Sequence, residues 1–178
     1  MHGLYLLWWV QERHVPPAVV ATILAAGHLA LTALEVPTGW FADRYGHRFS
    51  LILGSLAQIV GMLFCWLGRG VPELLAASLL VALGDAFRSG ADQGLLYRSC
   101  VALEREAAFQ QIQANARAVQ LAAMVGLILV GGAIVEILGF TAGWLAETTV
   151  CTAGLLMACA MVEPPPALDS NPTSGGRR

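Results

Sequence analysis

Five apolar runs of membrane-spanning length constrain this chain more than any other feature. A bilayer has a hydrocarbon core about 30 Å thick, so a helix needs about 20 mostly apolar residues to cross it. The predicted spans are residues 17–41, 50–67, 72–97, 114–138 and 141–162, and a shorter apolar run covers residues 4–10. We interpret the short run as the end of a first helix whose start lies upstream. The sequence therefore predicts an all-α membrane protein with a transmembrane domain over residues 1–162.

Composition supports a membrane protein and argues against several other classes. Of the 178 residues, 57% are hydrophobic and 12% are charged, whereas soluble domains are about 45–50% apolar. The net charge of -2 leaves no basic surface for a phosphate backbone, so we expect no nucleic-acid partner. The four cysteines lack metal-type spacing. No phosphate loop or nucleophile arrangement is visible, so we expect no catalytic residues, no metal and no cofactor.

A charged stretch, residues 35–48 with the sequence EVPTGWFADRYGHR, separates the second and third apolar runs. We expect it to form a short polar turn where the bilayer meets water, with glycines allowing the backbone to bend. The residues that define this stretch are Gly39, Asp43, Arg44, Gly46 and Arg48.

The spacing G-x-x-x-D-R-x-G-x-R in this stretch resembles the signature loop between the second and third helices of the major facilitator superfamily of transporters. Many members also carry an acid and a proline ahead of the first glycine, as Glu35 and Pro37 do here. The resemblance implies the first six-helix half of such a transporter, built from two inverted three-helix repeats with the first helix truncated. It also implies transport of a small solute by alternating access, without covalent chemistry.

The same resemblance implies roles for the charged residues at the cytoplasmic gate. Asp43 would be the latch acid, Arg44 and Arg48 its basic partners, and the two glycines the packing and turning residues. Many relatives have an acid after the tyrosine that ends the fourth helix, whereas Arg98 follows Tyr97 here. In the family the latch acid interacts with a helix of the second six-helix half, which this sequence does not contain, so the resemblance implies that Asp43 lacks a partner within this chain.

A recurring spacing of glycines and an acid supports the two three-helix repeats. Gly39, Asp43 and Gly46 recur as Gly132, Glu136 and Gly139, at a constant offset of 93 residues. The arginine positions become Ile137 and Thr141, as expected if the second copy faces the outside.

Arginine distribution predicts the orientation. If Asp43 faces the cytoplasm, the inside connections hold Arg44, Arg48, Arg98 and Arg105, while the outside turns hold Arg13 and Arg69. This bias follows the positive-inside rule. We therefore expect a multi-pass protein of the plasma (inner) membrane, with residues 163–178 as a disordered cytoplasmic tail.

Ionisable residues within the apolar runs are the candidates for a solute or ion pathway. Charged groups inside a membrane are costly against lipid and are usually functional. The alternative is that they form ion pairs that hold the bundle together. The candidates are His28, Glu35, Asp85, Arg88, Asp92 and Arg117.

Three interpretations of function remain open from the sequence. The chain is part of a transporter whose second six-helix half is missing, or a half-size subunit that pairs with a second copy. In the third, it is a membrane adaptor that binds a cytosolic partner through residues 97–115. We expect those residues to form a polar connection with a short amphipathic helix on the membrane surface.

Overall fold

Six helices account for most of the chain in this computed structural model, which describes residues 2–162 and their side chains from Leu7 onward. They are α1 (His2–Gln11), α2 (Pro17–Tyr45), α3 (His47–Leu67), α4 (Val71–Ala102), α5 (Phe109–Leu138) and α6 (Phe140–Ala160), with a 3₁₀ turn at Glu106–Ala108. Within residues 2–162 there is no strand, and five helices are long and apolar enough to cross a membrane. The predicted all-α membrane fold is confirmed, while the predicted tail lies outside the described residues.

Two single-glycine junctions have the same construction and lie 93 residues apart. Gly46 joins α2 to α3 with φ of 104°, and Gly139 joins α5 to α6 with φ of 83°. A positive φ is readily adopted only by glycine, so each glycine reverses the chain without a longer loop. The helices that follow are both 21 residues long. The same junction geometry thus occurs at both positions where the glycine and acid spacing recurs in the sequence, which agrees with two related three-helix units.

The predicted polar turn before α3 is wrong, because almost all of it is helical. Gly39, Asp43 and Arg44 lie within α2, and Arg48 lies in the first turn of α3. The Gly46 amide donates to the Ala42 carbonyl at 3.0 Å, so the helical hydrogen bonding continues past the charged residues. Charged residues can belong to a helix once it has left the hydrocarbon core. Helix α2 therefore continues through Asp43 and Arg44 and ends before Gly46.

The predicted connection over residues 97–115 is also much shorter in the structure. Helix α4 continues to Ala102 and α5 begins at Phe109. The residues between the apolar runs are rich in Ala, Gln, Glu and Arg, which favour helix. In addition, the Tyr97 and Phe109 rings pack edge to face with centroids 5.4 Å apart. The expected surface helix is reduced to the single 3₁₀ turn.

Helix α4 lies against both α2 and α3 because small residues allow close approach. A Cβ at Gly54 of α3 would lie 2.8 Å from the Gly84 carbonyl oxygen of α4, closer than real Cβ contacts. On the other side, Ser78 of α4 donates to the Ile23 carbonyl of α2 at 3.2 Å, opposite Gly27. These crossings fix the position of the polar residues of α4. In contrast, no described residue of α5 is buried.

Candidate functional site

A polar network spans α3 and α4 near the middle of the bundle. The Arg88 guanidinium donates from Nη1 to the Gln58 side-chain oxygen. The Gln58 amide nitrogen in turn donates to Asp85 Oδ1 at 3.4 Å. All three side chains are half-buried. Gln58 therefore links the acid and the base of α4 through a single amide group.

The close contact of α3 with α4 at Gly54 and Gly84 explains why Gln58 and Arg88 meet. A Cβ at Gly54 would lie 2.9 Å from Arg88 Cγ, and a Cβ at Gly84 would lie 3.2 Å from Gln58 Cβ. The absence of side chains at both positions brings the two helices close enough for the network to form. Gln58 was not among the sequence candidates. Its signal is an amide in an apolar helix, one turn beyond Gly54.

Two further candidates lie beyond this network, toward the C-terminal end of α4 and the start of α5. Asp92 is exposed and lies within electrostatic reach of Arg88 and of Arg117 on α5. Arg117 also donates to the side-chain oxygen of Gln120 at 3.0 Å, within its own helix. Asp92 therefore lies between the electrostatic influence of Arg88 on α4 and that of Arg117 on α5.

A small cavity between α2 and α4 brings two other candidates together. Its volume is about 70 Å³, and His28 and Asp85 both line it, together with Ser78. His28 is also hydrogen-bonded through Nδ1 to the Leu24 carbonyl at 2.8 Å. Glu35 does not belong to this lining and lies on an exposed part of α2. Sequence spacing predicts that His28 and Glu35 share one face of α2. Of the two, His28 lines this cavity and Glu35 does not.

Asp43, the expected latch acid, has partners inside this chain, which corrects the expectation that it lacks one. Its Oδ1 lies 3.8 Å from Arg98 Nη2 on α4 and 3.7 Å from His47 Nε2 on α3. The His47 ring is buried and packs onto Gly94, where a Cβ would overlap it. Because Asp43 itself is 73% exposed, we assign this cluster a weak attraction, about 0–1 kcal/mol per pair.

The two arginines of the charged stretch contact different groups from those the resemblance implies. The Arg44 guanidinium lies over the Trp40 ring, 5.5 Å from its centroid. Arg48 donates to the Cys159 carbonyl in the last turn of α6. A cation is favourable there because the carbonyls at a helix C-terminus carry partial negative charge. Arg48 therefore ties the end of α6 to the start of α3.

Glu147 is a buried acid that sequence reasoning did not select. Its exposure is 7%, and it lies on the face of α6 that also carries Trp144 and Cys151. The thiols of Cys65 on α3 and of Cys151 lie within electrostatic reach of it. The available signal was that Glu147 is the single charged residue of the sixth apolar run.

Across residues 2–162, no group of three or more His, Cys, Asp or Glu side chains could hold a metal ion. The polar groups described above can bind a solute through hydrogen bonds and charge.

Comparisons with known proteins point to one family. A family model described as Major Facilitator Superfamily matches residues 1–178. A protein named isoprimeverose transporter, from Lactiplantibacillus pentosus, is 33% identical over 76 residues, which are 41% of this chain. The match covers only 16% of that transporter's length. No solved structure matches the chain significantly.

Proposed function

The chain belongs to the major facilitator superfamily, and from that premise we propose that it forms part of a transporter that moves a small solute across a membrane. It is an integral, multi-pass membrane protein, with five membrane-length helices within residues 2–162. The proposed mechanism is alternating access, in which two sets of helices rock about a central site. The proposed location is the plasma (inner) membrane.

The observation that carries this proposal is the link from Asp85 through Gln58 to Arg88 between two apolar helices. A charged group inside a membrane is costly unless it is paired or faces water. An ion pair with a purely structural role can often be replaced by apolar side chains with little loss of folding stability. The network also adjoins the cavity that contains His28, so its groups can reach a solute. These features support a role in the pathway for Asp85 and Arg88.

The remaining candidates have less direct support. Glu35 and Arg117 lie on exposed surfaces of α2 and α5. We propose that these surfaces face a second six-helix unit, supplied either by further sequence or by a second copy of this chain. Asp43, Arg44 and Arg48 would then belong to the cytoplasmic gate between the two units.

The first substrate to test is isoprimeverose, since the matching transporter is named for it. Cells that express the chain, together with the second six-helix unit where further sequence supplies it, should take up labelled isoprimeverose above the level of cells with an empty vector. Asp85→Asn should abolish that excess, whereas Glu104→Gln, in the exposed connection between α4 and α5, should preserve it. If Asp85→Asn transports as fast as the unmodified chain, the proposed pathway is wrong.

A test of the second unit uses crosslinking in native membranes. A half-size subunit predicts a crosslinked species of twice the chain mass, which Glu35→Ala or Arg117→Ala should weaken. A monomer at all reagent concentrations would exclude the second copy as the partner.

A further inference from the structure

We propose that the cavity between α2 and α4 binds a short, linear alkylammonium ion, with the ammonium group beside Asp85 and the alkyl chain along the apolar walls. This inference deepens the proposed function, because it names a ligand class for a cavity that adjoins the same polar network. Transport of the ion rests on the proposed function, whereas its binding stands on the cavity alone.

The cavity is long and narrow. Its lining on α4 extends from Leu74 to Asp85, and its lining on α2 extends from Leu24 to Leu31. At a rise of 1.5 Å per residue, these stretches cover about 16 Å and about 10 Å along the two helices. The volume is about 70 Å³, less than half that of a cavity of about 150 Å³ that binds benzene. A cavity of this length and volume accommodates a single chain and excludes a six-membered ring.

The two ends of the cavity differ in polarity. Helices α2 and α4 run in the same direction, because α3 returns the chain between them. The lining therefore begins with Leu24 and Leu74 at one end, passes Val81, and has His28 and Asp85 toward the other end. Removing each methylene of an alkyl chain from water against the apolar walls is favourable. A ligand that matches both ends has a hydrocarbon tail and a polar head.

The polar groups of the lining act as hydrogen-bond acceptors. Ser78 uses its hydroxyl proton to donate to the Ile23 carbonyl at 3.2 Å, and its oxygen can still accept. His28 Nδ1 is bonded at 2.8 Å to a backbone carbonyl, which only accepts, so the neutral ring carries its proton there and Nε2 is the acceptor. A carboxylate accepts about four hydrogen bonds, and the bond from Gln58 uses part of that capacity at Asp85.

Charge at the polar end favours a cation. The described lining contains one carboxylate, that of Asp85, and no arginine. The nearby Arg88 guanidinium donates to Gln58 on α3 and lies outside the lining. An ammonium group has three donors and no acceptor, so it complements a wall of acceptors, and its hydrogen bonds to a carboxylate are stronger than neutral ones. A hydroxyl offers only one donor, and a carboxylate head would be repelled.

Radiolabelled n-butylammonium tests the assignment on the unmodified chain in lipid nanodiscs, with empty nanodiscs as the measure of partition into lipid. The amine is protonated at neutral pH, as the lysine side chain is. We expect saturable binding at a single site. Unlabelled 1-butanol and butyrate, with a similar chain but a neutral or negative head, should compete about tenfold more weakly or worse. Cyclohexylammonium, which keeps the charge and adds a ring, should also compete about tenfold more weakly.

Substitutions locate the site. Asp85→Asn keeps the size of the side chain and removes its charge, so the affinity should fall by about tenfold or more. Leu31→Phe enlarges a lining side chain and should also weaken binding, whereas Leu29→Phe, at a position that is 74% exposed and outside the lining, should leave binding unchanged. Circular dichroism checks the helical content of each variant. If Asp85→Asn does not fold, the comparison of Leu31→Phe with Leu29→Phe decides.

Several results would overturn the proposal. Equal competition by 1-butanol would refute the requirement for a positive charge, and equal competition by cyclohexylammonium would refute the linear ligand. Unchanged binding in Asp85→Asn or in Leu31→Phe, or no saturable binding at all, would refute the site itself. The binding assay involves no transport, so these results leave the transport proposal standing. Absence of isoprimeverose uptake would count against transport and leave the binding site intact.

Discussion

The contact between Gly54 and Gly84 gives the sharpest stability prediction. A Cβ at Gly54 would meet the Gly84 carbonyl oxygen at 2.8 Å and Arg88 Cγ at 2.9 Å. Ordinary van der Waals contact begins near 3.4 Å, so Gly54→Ala must separate α3 and α4 by roughly 0.6 Å at this point. Because the neighbouring atom is backbone, the strain cannot be relieved by a rotamer change.

The expected cost follows from that displacement. Overpacking of this kind destabilises by about 1–3 kcal/mol. Replacing glycine by alanine in a helix also gains up to about 1 kcal/mol of propensity, and a matched control removes this contribution. Gly126→Ala on α5 is suitable, because a Cβ there would have no neighbour within 4 Å. We expect Gly54→Ala to be less stable than Gly126→Ala by about 1–3 kcal/mol.

The measurement is reversible unfolding in mixed micelles, followed by helical circular dichroism. Gly84→Ala, whose Cβ would lie 2.7 Å from the Gly54 carbonyl oxygen, should behave like Gly54→Ala. Equal stability of Gly54→Ala and Gly126→Ala would refute the close crossing, and with it the reason why Gln58 and Arg88 meet.

Three further predictions concern other contacts. Asp43→Asn should lower the unfolding free energy by less than about 1 kcal/mol, with an effect that shrinks in high salt, because Asp43 is largely exposed in its pair with Arg98. A larger, salt-independent loss would contradict this. Gly94→Ala should destabilise by about 1–3 kcal/mol through overlap with the His47 ring. The loss should be smaller in a His47→Ala background, and equal losses in both backgrounds would refute the contact. Trp9→Ala should cost about 3–5 kcal/mol, since Trp9 is fully buried and donates to Cys65; a thermal melt that does not shift would show that α1 is not packed as described.

The sequence predicted the helices well because apolar runs of membrane length leave the backbone few other options. Their ends were harder to place. The charged residues Asp43 and Arg44 suggested a turn, but a helix that has left the hydrocarbon can carry charge, and only Gly46 stops it. Hydropathy reports where lipid ends, and it does not report where a helix ends.

The candidate site was predictable only in part. Spacing alone placed Asp85 and Arg88 on one side of α4, but their link through Gln58 depends on how α3 crosses α4. Glu147 was passed over although it, too, is an ionisable residue within an apolar run. Its burial becomes visible only when α6 packs against α3.

The most direct test of the central claim is the accessibility of spin labels on α2 and α4 in lipid vesicles. Labels at Leu31→Cys and Ser78→Cys, which line the cavity, are compared with labels at Leu29→Cys and Leu79→Cys, which lie on exposed apolar surface. If polar groups of these helices share a water-accessible interior, a water-soluble relaxation agent should reach positions 31 and 78, while oxygen dissolved in lipid should dominate at 29 and 79. A lipid-like response at all four positions would contradict the interior pathway.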